Sequence, residues 1–215
     1  MKKLTATLIL FLCFANVFAQ RGTFNRDLFG TLKYNSSNQN YSSSLEKNVF
    51  DALTFTDSKK NKITFDKKYL AKYHPGVLSD NTIQTNFFKK LIRDYSRESE
   101  YIASYEINVF NEEVIKDNKG YSSKKGKDIF GHDYYEENGR EGNVSIKRNI
   151  QGVLEYKENG FNASLGKNVF NKRIYNDSDG NELQFNETTW NRMIKRFGTD
   201  KEILWFLIDN MFYGD

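Results

Sequence analysis

Proline occurs once in 215 residues, at Pro75, cysteine once, at Cys13, and histidine twice, at His74 and His132. One proline excludes Pro-rich linkers and collagen-like triplets. One cysteine excludes an internal disulfide framework and a multi-cysteine metal site. Two histidines exclude a multi-His zinc centre. The P-loop, the Rossmann glycine pattern, HExxH and GxSxG are all missing, so no familiar phosphate, dinucleotide, zinc or serine-hydrolase signature stands in the chain. The long apolar run of a membrane helix is missing too, since the stretch from Leu4 to Ala15 is too short to span a bilayer comfortably. What is plentiful is core material: Leu, Ile, Val and Phe number 56, enough to argue against global disorder, and asparagine reaches 24.

That short apolar stretch follows Met1-Lys2-Lys3 and ends at Asn16-Val17-Phe18-Ala19, the layout of an export signal at residues 1–19 with cleavage expected after Ala19. Removing it takes away Lys2, Lys3 and Cys13. The expected mature chain of 196 residues is free of cysteine and carries 30 Lys+Arg against 28 Asp+Glu, so the formal net charge of +4 falls to +2. A bacterial protein of the periplasm, or one that is secreted, is the expectation. No integral membrane segment remains after removal, and nucleic acid is not expected as a partner because the arginines are scattered. Oligomeric state is not legible.

An internal repeat is the most informative pattern. Ser44-Leu45-Glu46-Lys47-Asn48-Val49-Phe50 returns as Ser164-Leu165-Gly166-Lys167-Asn168-Val169-Phe170, and in looser form as Ser104-Tyr105-Glu106-Ile107-Asn108-Val109-Phe110, each 60 residues apart. Residues 41–95 and 161–215 align without gaps at 12 identities in 55 positions. A leader, Arg26 to Tyr34, matches Arg148 to Tyr156 at an offset of 122, so the loop that follows differs by two residues. These matches divide the chain into a signal peptide at 1–19 and three modules at 20–100, 101–146 and 147–215.

Within a module, alternating residues predict strands: Leu28, Gly30, Leu32 and Tyr34 in the leader, and Phe161 to Phe170 in the returning strand. Asn159-Gly160 and Asn176 to Asn181 read as hairpin turns. The latter run superficially resembles a calcium loop but lacks the twelve-residue spacing and distant glutamate. Trp190, Met193, Ile194 and Phe197 fall at helical spacing, and Thr199 with Glu202 forms a capping box for a second helix. The first module repeats the plan, with Asp80 capping its second helix. The expected fold class is α+β: repeated antiparallel β-hairpin modules, the first and third each followed by two helices. In the middle module no helical period follows Gly120, and residues 124–142 read as a polar loop.

What one copy has alone is the better place to look for function. Lys127, His132, Asp133, Tyr134, Tyr135 and Arg140 in that loop are candidate binding residues. Lys59, Lys60 and Lys62, on a basic first module, are candidates for docking an acidic partner. His132, Asp133 and Glu136 are the candidates for catalysis, as a base with nearby carboxylates. Asn48, Asn108 and Asn168 read as strand-bend residues bonding their local backbone. No cofactor and no metal is implied. The leading functional expectation is an exported, non-catalytic protein-binding protein, with a periplasmic immunity or inhibitor protein as its concrete form. The alternatives are a secreted hydrolase or lyase using His132, and a structural surface or adhesion protein.

Overall fold

The computed structural model describes residues 22–37, 40–139 and 142–211. The expected export signal at 1–19 and the candidate Arg140 lie outside the described residues. The fold is mixed α+β, with fourteen strands and four helices among the described residues. Strands that follow one another within a compact unit are hydrogen-bonded in chain order and mostly antiparallel. The chain divides into two compact units between Ala103 and Ser104, so the expected third module and all but residues 101–103 of the expected middle module fall in the second.

The first unit is an antiparallel meander of β1 (Gly22–Arg26), β2 (Leu32–Ser36), β3 (Ser42–Lys47), β4 (Leu53–Asp57) and β5 (Lys62–Phe65), followed by α1 (Lys67–Tyr73) and α2 (Asn81–Tyr95). Strand side chains alternate between faces. Leu32, Tyr34, Leu45, Leu53, Phe55, Ile63 and Phe65 are therefore buried, while Lys33, Glu46 and Lys62 point away. The buried face receives α1 through Leu70 and α2 through Phe87, Phe88, Leu91 and Ile92. Phe88 meets Phe55 edge-on at 6.1 Å. Asp80 caps α2 by accepting from the backbone N–H groups of Thr82 and Ile83.

β6 (Ile102–Ile107) begins at the boundary. The second unit continues with β7 (Glu113–Asp117), β8 (Ser122–Lys127), β9 (Asp133–Gly139), β10 (Gly142–Arg148), β11 (Leu154–Glu158), β12 (Phe161–Lys167), β13 (Arg173–Asp177) and β14 (Glu182–Phe185). Then come α3 (Glu187–Phe197) and α4 (Asp200–Met211). Its core joins Ile146, Leu154, Tyr156, Phe161, Leu165 and Tyr175 to Trp190 of α3 and Ile203, Leu204, Leu207 and Ile208 of α4. The capping box at the start of α4 is formed: Thr199 Oγ1 accepts from the Glu202 N–H, and the Glu202 carboxylate accepts from the Thr199 N–H.

The duplication is visible in strand register. Leu45 faces Phe55 as Leu165 faces Tyr175, an offset of 120, and Arg26 faces Leu32 as Arg148 faces Leu154, an offset of 122. The two-residue difference falls between β2 and β3, where the leader alignment places it.

Two expectations are corrected. The described residues of the span expected as a polar loop, 124–139 and 142, are not a loop: they lie in β8, β9, the turn between them and the start of β10. Neither β8 nor β9 has a buried residue, so neither strand carries the apolar alternation by which a half-buried strand is recognised. Their register is instead marked by facing charges, with Lys124 opposite Glu136 and Lys127 opposite Asp133. The strands read through Leu28-Gly30 and through Val169-Phe170 also stop short, β2 starting at Leu32 and β12 ending at Lys167. The intervening residues are turns whose apolar side chains imitate strand alternation.

Candidate functional site: a row of apolar turns

These turns share one construction. Asn168 opens the turn between β12 and β13, and its Oδ1 accepts from the backbone N–H groups of Phe170 and Lys172, each at 3.0 Å. Its own N–H donates to the Lys172 carbonyl, and the Asn171 N–H donates back to the Asn168 carbonyl. The fourth residue, Asn171, has φ +61°, the left-handed region that glycine, asparagine and aspartate tolerate best. Asx side chains are suited to this because their short carbonyl arm reaches backbone donors two and four residues on.

The same four bonds recur at Asp27, Asn48, Asn108, Asp128 and Asn149, with Gly30, Asp51, Asn111, Gly131 and Gly152 at the left-handed position. The 60-residue period thus resolves into a hairpin of about 20 residues. In the second unit the turns open at 108, 128, 149 and 168.

In an antiparallel meander every second turn lies at the same end of the strands. The first unit places the turns at 27 and 48 at one end of its sheet; the second places those at 108, 128, 149 and 168 at one end of its own. Every one of these turns holds an aliphatic residue second, and five of the six hold phenylalanine third. The side chains point into solvent: Phe29 is 95 % exposed, Val49 92 %, Val169 93 % and Phe170 78 %. The turns at the opposite ends, opening at Asp57, Asp117 and Asp177, make the same two side-chain bonds, yet carry Ser58-Lys59, Asn118-Lys119 and Ser178-Asp179. The turn itself therefore does not require apolar tips.

Cations stand beside the tips. Arg26, Lys47, Lys127, Arg148 and Lys167 each immediately precede a turn. Arg26 and Arg148 donate to the carbonyls of Gly30 and Gly152, at 2.8 and 2.6 Å, closing their own turns. Arg148 also meets Asp200 at 3.2 Å, as does Arg173 at 3.5 Å. Lys33 bonds Asp27 and, with the turn N–H groups, holds that carboxyl below its ordinary range.

The candidates for catalysis are not brought together. His132 is the last residue of the turn that opens at Asp128, and its Nδ1 lies 3.2 Å from Asp128 Oδ2. Partial burial works to raise the Asp128 carboxyl, but the N–H groups of His132 and Phe130 and the His132 ring outweigh it and hold the group low. Asp133 is exposed and pairs with Lys127 at 3.1 Å. Being three residues apart on β9, Asp133 and Glu136 point to opposite faces of the sheet. Tyr134 and Tyr135 part in the same way. The Tyr134 hydroxyl donates to Glu112, which also accepts from Asn108 and Lys124, and these three bonds hold the Glu112 carboxyl down to about 2. The Tyr135 hydroxyl donates to Glu137, and its ring lies under the Lys201 ammonium and against the second unit's core. Burial, then Glu137, raises that hydroxyl above its ordinary value. In the first unit Lys59 and Lys60 lie on the polar turn after β4, with Lys60 paired to Glu100 at 2.9 Å, while Lys62 opens β5 with its side chain exposed.

The apolar tips escape sequence reading because Val-Phe within a strand pattern looks like core. A signal was present all the same: Asp or Asn, followed at once by an aliphatic residue and three residues later by Gly, Asn or Asp, occurs six times. The class of protein so defined is a β-hairpin meander carrying helices, with a repeated apolar turn at one end of each unit. The chain matches no known protein family, curated protein or solved structure in comparisons with each.

The capping role makes a direct prediction. Asn168→Ala removes the acceptor of two backbone N–H groups and is expected to cost about 1–2 kcal/mol. Asn168→Asp, which installs the residue used at 27 and 128, is expected to be within about 0.5 kcal/mol of the parent chain. Urea unfolding of the two variants checks this; equal losses would remove the capping role.

Proposed function

We propose that this chain is a non-catalytic binding protein, exported to the periplasm or beyond, that meets its partner through the apolar turn ends of its sheets. One observation carries the reading: in each unit a single turn design bears apolar residues at one end of the sheet, six turns in all, and polar residues at the other, three turns in all. Folding alone does not demand that difference. Single exposed apolar side chains are ordinary, but the same apolar pair repeated turn after turn at one end of a sheet and withheld from the other marks a contact surface. The non-catalytic part is supported by the placement of Asp133 and Glu136 on opposite faces, away from a shared reaction centre with His132. A periplasmic immunity or inhibitor protein would be one form of such a binding protein.

The test is photo-crosslinking in the producing cells, with the reactive residue placed at Phe110, Phe130 or Phe170, and for comparison at Lys119 or Asp179. Adducts are expected from the first three positions and not from the last two. Equal adduct yields from both ends would overturn the reading.

A further inference from the structure

We infer that the partner met by the second unit's four apolar turns is a lipid surface bearing anionic headgroups; this rests on the reading that the turn end is the contact surface. Three features on that unit point to lipid rather than to a folded partner.

The first is spacing. Turns at the same end of the sheet are two strands apart, about 10 Å. The apolar groups are therefore separate knobs, Val109-Phe110, Ile129-Phe130, Ile150 and Val169-Phe170, rather than one patch. A folded partner would need a matching pocket at each interval. The boundary between headgroups and acyl chains receives isolated apolar side chains without any matching shape, to a depth of about 5–10 Å.

The second is the state of the turn backbone. Of the five N–H groups in each turn, the first, third, fourth and fifth are already bonded inside it. Unbonded backbone groups make entry into an apolar medium costly, and the Asx side chain removes two of them at every knob.

The third is charge. Residues 144–154 and 165–176, which hold the last two turns, contain five cations, Lys147, Arg148, Lys167, Lys172 and Arg173, and no carboxylate, although Arg148 and Arg173 share Asp200 from α4. Lys167 and Lys172 are both exposed and flank Phe170 on either side. Basic side chains just behind apolar ones suit an interface whose headgroups are negative.

The experiment is vesicle co-sedimentation of the chain from Gln20 onward, which holds every described residue. It compares vesicles of phosphatidylglycerol and phosphatidylcholine in equal parts with vesicles of phosphatidylcholine alone. The parent chain is expected to sediment with the mixed vesicles, more weakly with the neutral ones, and less at high salt. The triple variant Phe110→Ser, Phe130→Ser, Phe170→Ser is expected to lose on the order of a hundredfold in partitioning, from the water-exposed rings no longer buried. Lys119→Ser with Asp179→Ser, at the opposite end, should leave partitioning unchanged. All five positions are exposed, so coincident thermal unfolding of parent and variants confirms that the fold is kept. A parent chain that stays in solution with both vesicle types overturns the lipid assignment, as does a triple variant that sediments like the parent. If the parent then proves dimeric and the triple variant monomeric, the row joins two copies and the contact reading stands without lipid. Crosslinks to protein alone would have the same meaning. If the triple variant matches the parent in vesicle binding and association, and crosslinks arise equally from both ends, the contact reading fails as well.

Discussion

Asn61→Asp is expected to destabilise the first unit by about 3–5 kcal/mol at neutral pH, although it exchanges only an amide for a carboxylate. Asn61 is almost fully buried. Its Nδ2 donates to Asp57 Oδ2 at 2.8 Å and to the carbonyls of Glu98 and Tyr95 at 3.0 and 3.1 Å, while its Oδ1 accepts from the Tyr101 N–H at 2.9 Å. One side chain thus ties the turn after β4 to the segment between α2 and β6. Aspartate keeps the acceptor and replaces every donor with a negative oxygen facing two carbonyls and a carboxylate. Repulsion and an uncompensated buried charge then act together. Protonation would remove the charge, so the loss should shrink under mildly acidic conditions. Asn181 occupies the equivalent position, and its amide bonds Asp177 at 2.9 Å. It is less buried, and Asn181→Asp is expected to cost about 1–2 kcal/mol. Chemical unfolding of both variants at neutral and mildly acidic pH checks the pair. Equal losses at the two sites would show that the tie to residues 95–101 contributes nothing of its own.

The second large effect contrasts two phenylalanines. Phe88→Ala is expected to cost about 3–5 kcal/mol. Phe88 is fully buried on α2, its ring edge-on to Phe55 and to Phe24, with centroids 6.1 Å apart in each pair. Truncation leaves a cavity that sheet and helix cannot both collapse into. Phe170→Ala is expected to change stability by no more than about 0.5 kcal/mol, because that ring already stands in water. Unfolding midpoints in urea measure both. A large loss at Phe170 would mean that the tips hold the fold together, which would weaken their assignment as a contact surface.

Legibility followed burial. The strands and helices around Leu165, Tyr175 and Trp190 were readable because one face of each meets a core and the other meets water. The turn at Asn176 to Asn181 and the capping box at Thr199 and Glu202 were readable because short-range side-chain to backbone bonding depends on residue type and spacing alone. The local bonding of Asn48, Asn108 and Asn168 was readable on the same ground. β8 and β9 were not, since strands without a buried face leave no apolar alternation. The candidate site was only half legible. The recurring Asn-Val-Phe was evident, but in one dimension an apolar pair looks the same whether it closes a core or stands at a turn tip.

The sequence by itself determined the α+β class, the duplication with its two-residue loop difference, and the absence of the usual catalytic signatures. All of these are matters of composition, period and local spacing. Only the tertiary structure decided that Leu28, Phe29, Val169 and Phe170 face solvent. It alone showed that such pairs share one end of each sheet, and that His132, Asp133 and Glu136 do not converge. The physical reason is that an antiparallel meander sends alternate turns to opposite ends and alternate residues to opposite faces. A residue's surroundings are therefore set by the register of its strand, and register is a property of paired strands rather than of any single one.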